Sequence, residues 1–142
     1  MTRLPLTAAV LAVGLLASGC SEGIDSSADR TVCVGDATAL SKTPDGFPAD
    51  FPFPPGTVVY HGEDRGADGL VITGVTATPF QDVLAALNGP VQDAGFTVTS
   101  GETEEHDAEA NWEKGDQRGR WAIRESADCP GETVVQVLAS SG

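Results

Sequence analysis

Between Asp107 and Glu125 the sequence DAEANWEKGDQRGRWAIRE admits an antiparallel pairing that satisfies both of its faces at once. Gly115-Asp116 is taken as a two-residue type II′ turn, with Gly first as that turn requires. Trp112 then falls opposite Gly119, Ala110 opposite Trp121 and Ala108 opposite Ile123, so large meets small on that face. The other face sets Glu113 against Arg118, Asn111 against Arg120 and Asp107 against Arg124, where opposite charges stabilise by roughly 0.2 to 1 kcal/mol per pair. A slip of one residue would turn the indoles outward. The register therefore predicts a hairpin that buries both tryptophans against a helix and leaves Glu113, Asn111, Arg118, Arg120 and Arg124 on the polar face of a sheet.

The rest of the chain supplies that helix and the neighbouring strands. TVVYH (Thr57–His61) and LVITGVT (Leu70–Thr76) read as strands around the turn-rich loop GEDRGADG. Thr78-Pro79-Phe80-Gln81 has the form of a capping box with Pro at the first helical position. Phe80, Val83, Leu84, Leu87 and Val91 follow at helical spacing, which predicts one buried face. Asn88-Gly89-Pro90 should kink or break the helix, and Gly95 should stop it. Phe96–Thr99 and Thr133–Leu138 complete the strands. The expected fold class is α+β, an antiparallel sheet with one helix packed on a face, in the order ββαββββ.

Ahead of these elements, Gly35–Gly56 holds five prolines and the stretch FPADFPFPPG, which favours extended backbone. Phe47, Phe51 and Phe53 either form an exposed recognition strip or, as expected here, pack on the domain as an ordered lead-in. Val32-Cys33-Val34 is either a short strand or the attachment point of a disulfide.

The beginning of the chain speaks of address. Arg3 gives one positive charge, Leu4–Leu16 is apolar, and Ala17-Ser18-Gly19 are small residues ahead of Cys20. The apolar run falls short of the ~20 residues a membrane-crossing helix needs and is sized like the core of an export signal. This segment resembles a bacterial lipoprotein signal, with Ala17-Ser18-Gly19-Cys20 in the place of the lipobox and Ala where Leu is commoner. The resemblance implies cleavage between Gly19 and Cys20, lipidation of the Cys20 sulfur and a membrane anchor on the extracytoplasmic side. The alternative is an ordinary cleaved signal with an incidental cysteine. Residues 1–19 are thus read as signal peptide, 20–30 as lipidated terminus and flexible tether with a reach of roughly 17 Å, and 31–142 as a single domain with its Pro-rich lead-in at 44–56.

Assigning Cys20 to lipid leaves Cys33 and Cys129, an even pair outside the cytoplasm, whose expected state is one disulfide rather than two buried thiols. The net charge of the whole chain is −13 and becomes one unit more negative when the leader takes Arg3 with it. That sign argues against nucleic acid, whose binding rests on a basic footprint, and against the domain lying on an anionic lipid surface.

FPADFPFPPGTVV, the Thr-Pro helix start, AGFTVTSGE and EANWEKGDQRGRWAI before Cys129 together resemble small secreted lipoproteins of high-GC Gram-positive (actinobacterial) bacteria. This resemblance transfers no catalytic residue. The acidic run ETEEHDAE (Glu102–Glu109), with five carboxylates and His106, invites a metal reading, but strand residues alternate faces and no glycine-shaped ligand loop is present. Asp64-x-Gly66-x-Asp68-Gly69 has Val75 where an EF-hand needs Glu. His61 and His106 are the only histidines, and no GxSxG nucleophile elbow is present. The expectation is a non-enzyme with neither cofactor nor metal. It would be an extracytoplasmic binding or interaction module of the cell envelope, recognising a protein, glycan or small ligand. The alternatives are an accessory or structural subunit of an envelope complex and a carboxylate-dependent cell-envelope hydrolase.

Overall fold

The computed structural model describes residues 32–142; the expected signal peptide, Gly19, Cys20 and the tether lie outside them. The elements are β1 (Val58–Asp64), β2 (Leu70–Thr76), α1 (Phe80–Asn88), α2 (Pro90–Asp93), β3 (Thr97–Thr103), β4 (Asp107–Lys114), β5 (Gln117–Glu125) and β6 (Thr133–Ser141). They form a six-stranded antiparallel sheet in the order β1-β2-β6-β5-β4-β3, with the helices on one face. The α+β class and the expected succession of strands and helix are present. The last strand enters between β2 and β5, joining the two halves of the sheet.

The register expected for the tryptophan hairpin is the one formed, from Asp107 opposite Arg124 to Glu113 opposite Arg118. Gly115 has φ 61° and no described non-glycine residue has positive φ, as a II′ turn with Gly first demands. A methyl group on Gly119 would lie 2.3 Å from Cζ2 of Trp112, so the absent side chain is the space the indole occupies. Trp112 and Trp121 are each 1% exposed and share a core with Phe80, Val83, Leu87, Ile123 and Val137. Leu84 is only partly buried at its margin.

The helix breaks where Pro90 was expected to break it, and α2 restarts with Pro90 in its first turn. It ends in a Schellman motif: Gly95, φ 85°, donates to the Gln92 carbonyl, and the Phe96 N–H donates to that of Val91. The capping box at the other end does not form. Pro79 takes the N-cap position without a side-chain cap, and the Thr78 hydroxyl donates instead to the Pro55 carbonyl at 3.2 Å. The lead-in brings that carbonyl to the helix start, where Thr76 also donates to it, and tertiary contact replaces the local cap.

Phe47 and Phe51 are buried and Phe53 is partly buried, so the Phe/Pro stretch is a packed lead-in. The Phe51 ring lies 5.4 Å from Phe96 and 6.0 Å from Trp112, in the tilted and edge-on geometries that aromatic quadrupoles favour. Lys114 fastens this arrangement. Its Nζ donates to the Ala94 carbonyl at 2.9 Å and to Asp50, and stands 4.3 Å from the Phe96 ring centroid. The Lys114 hydrogen bond holds the Asp50 carboxyl below its ordinary value of 3.8. A depressed folded pKa means stability that is present above the unfolded pKa and lost as pH falls through the folded one. An NMR titration should therefore find Asp50 titrating below 3.8 in the native protein, and Lys114→Met should return it toward that value.

Candidate functional site

Cys33 and Cys129 form the expected disulfide, with Cα atoms 5.7 Å apart. Val32-Cys33-Val34 is no strand: the Cys33 carbonyl accepts from Asp36 and Ala37 in a turn. Around the bond, Glu132 accepts the Val34 N–H at 2.8 Å and the Ser126 hydroxyl accepts the Cys129 N–H at 3.1 Å. Sulfur and carboxylate atoms of Cys33, Cys129 and Glu132 come within 4.8 Å of one another, a grouping that could hold a metal in another redox state. Here the sulfurs are bonded to each other and offer no thiolate, so the group is a clasp that ties the start of the domain to the β5–β6 connection.

The charged residues singled out by sequence are dispersed. Glu102 stands directly opposite Glu109 across β3 and β4, and the Arg120 guanidinium donates to Glu109 instead of to Asn111, its partner in register. Its pull answers a like-charge pair that would otherwise weaken the sheet. His106 Nδ1 pairs with Glu125 at 2.9 Å on the surface, while His61 is exposed on β1 opposite Thr73 of β2. The Asp64 Oδ1 accepts the Gly66 N–H at 2.8 Å, closing an Asx turn that engages this carboxylate with its own loop.

The surface that sequence reasoning missed is the second face of the sheet. The strip of Glu113, Asn111, Arg118, Arg120 and Arg124 does lie there, but only along β4 and β5. Beside it the same face carries Ala122 of β5, Val134, Gln136 and Leu138 of β6, and Val71, Thr73 and Val75 of β2, in the rows set by the pairing of these strands. The signal was available in LVITGVT and TVVQVL, which run apolar on both parities, as strands covered on two sides do. On this face Val71, Thr73, Val75 and Val134 are buried, and the row is flanked by the β5 arginines on one side and by Val58, His61 and Glu63 of β1 on the other. The β1 edge is bulged at Tyr60, and burial pushes the Tyr60 phenol above its ordinary pKa. Among the described residues no helix is long and apolar enough to cross a membrane. No protein-family model, curated protein or solved structure matches this chain.

Proposed function

We propose that this chain is a lipid-anchored, extracytoplasmic binding module of the cell envelope, without catalysis of its own. The observation that carries the reading is the ordered leader: Arg3, the apolar run Leu4–Leu16, the small residues Ala17-Ser18-Gly19, and Cys20. One further fact supports it: the Cys33–Cys129 bond suits an oxidising compartment, where disulfides persist. The ligand is an envelope protein, glycan or small molecule.

Anchoring and binding are tested together in the native envelope. Cys20→Ser should abolish labelling by radioactive palmitate and move the protein from the membrane to the soluble fraction. A variant that still labels and sediments with membranes would overturn the lipobox reading. Crosslinking through a photoreactive residue placed at the exposed positions 61 or 63 of β1 should capture a stoichiometric neighbour; a clean failure to capture one, with anchoring intact, would count against the binding role alone.

A further inference from the structure

Among the described residues, side chains of metal-ligating type gather in threes at one place, where the sulfurs of Cys33 and Cys129 and a carboxylate oxygen of Glu132 lie within 4.8 Å of one another. The local sequence builds that grouping. Cys129-Pro130-Gly131-Glu132 closes a turn in which the Glu132 N–H donates to the Cys129 carbonyl at 3.1 Å. Pro130 stands second and Gly131, with φ 84°, third, as a type II turn demands. The turn brings its first and fourth side chains together beside Cys33. Both are also held from outside it: the Ser126 hydroxyl accepts the Cys129 N–H at 3.1 Å, and Glu132 accepts the Val34 N–H at 2.8 Å. Metal-ligating carboxylates are commonly fixed by such hydrogen bonds, and this one keeps lone pairs beyond the one given to Val34.

We propose that in its dithiol form, the form in which the chain is made, this grouping is a zinc site. Cys33 and Cys129 bind as thiolates, Glu132 through a carboxylate oxygen, and water takes the fourth position. Binding releases two protons, one from each thiol. Thiolates select a soft metal over calcium or magnesium, and three protein ligands with one open position suit tetrahedral Zn²⁺. The distances allow it. Two thiolates each ~2.3 Å from zinc stand roughly 3.8 Å apart, and Cα atoms 5.7 Å apart reach that separation by rotation about the Cα–Cβ bonds. Cys129 is buried while Cys33 and Glu132 are partly exposed, so the ion and its water enter from one side.

The start of the domain is then clasped to the β5–β6 connection in either redox state. Oxidation exchanges one clasp for the other. The two thiolates give two electrons to a disulfide oxidant, a bond forms between the sulfurs of Cys33 and Cys129, the oxidant leaves as two thiolates, and Zn²⁺ departs. The inference holds whether or not the chain is anchored in a membrane.

The test uses the full chain carrying Cys20→Ser, reduced with a phosphine so that two thiols remain. Co²⁺, as an optical probe, should give thiolate-to-cobalt charge-transfer absorption and the bands of a tetrahedral ion at one ion per chain, and Zn²⁺ should displace it. The oxidised chain should give neither signal. Glu132→Gln, with its fold checked by tryptophan fluorescence, should weaken Zn²⁺ binding about tenfold or more. Zn²⁺ should also raise the urea midpoint of the reduced chain, since a metal held by the folded state stabilises it. An unchanged midpoint would place the metal on thiols of the unfolded chain and overturn the site, as would an equal affinity in Glu132→Gln or the absence of a Co²⁺ spectrum. Oxidised glutathione added to the zinc-loaded chain should release one Zn²⁺ per disulfide formed; a disulfide formed with the zinc retained would overturn the exchange.

Discussion

Replacing Trp121 by alanine is expected to destabilise the protein by about 3–5 kcal/mol, the range for deleting a large aromatic from a core. Trp121 pairs with Ala110 on β4 and Val137 on β6 and is 1% exposed. The small Ala110 beside it cannot expand to fill the void, and the close fit of Trp112 over Gly119 leaves little freedom to collapse. Urea unfolding followed by circular dichroism measures the loss. Two comparisons sharpen it. Neither indole Nε1 has a hydrogen-bond partner, so Trp121→Phe removes an unsatisfied donor together with some volume and should cost less than half as much as alanine. Glu113→Lys, on the opposite face, should cost about 1 kcal/mol or less, as exposed pairs do. Fluorescence gives an independent check: both indoles should emit at short wavelength and resist acrylamide. A readily quenched tryptophan would contradict their burial.

That hairpin was legible in the sequence because every requirement on it is local. Turn chemistry, size complementarity and charge complementarity all act between residues fewer than twenty apart, and they select one register. The limits β2 Leu70–Thr76 and the break at Pro90 were legible for the same reason. What was not legible depends on contacts distant in sequence. Thr78 has the right neighbours for an N-cap, but its hydroxyl is taken by Pro55. The strands β1, β3 and β6 extend past their sequence signals, to Asp64, Thr103 and Ser141, because a paired neighbour lets polar residues continue a ladder that their own propensity would end. The position of β6 at the sheet's centre follows from no property of TVVQVL alone; it is this placement that makes the second face apolar. That apolar face escaped notice for that reason, since alternation along the hairpin predicts a polar outer face and only the pairing of β2 with β6 changes it.

Removing the disulfide, as Cys33→Ser with Cys129→Ser, is expected to cost about 3–5 kcal/mol. The bond joins residues 96 apart, and for a loop near that size the chain-entropy model gives about 4.7 kcal/mol, acting by restricting the unfolded chain. The folded domain has other means of holding its lead-in: the Leu40 N–H donates to the Val59 carbonyl at 2.8 Å, Gln117 donates to the Gly46 carbonyl at 3.3 Å, and Phe47 and Phe51 are buried. The sheet and its tryptophan core should therefore survive in the double-serine variant, with the fluorescence of the native protein. Its unfolded state, freed of the crosslink, exposes more surface, so the urea m-value should rise as the midpoint falls. A loss below about 1 kcal/mol with an unchanged m-value would show that the link constrains neither state. Intact-mass measurement after alkylation ties the result to the bond: Cys33 and Cys129 should become reactive only after reduction.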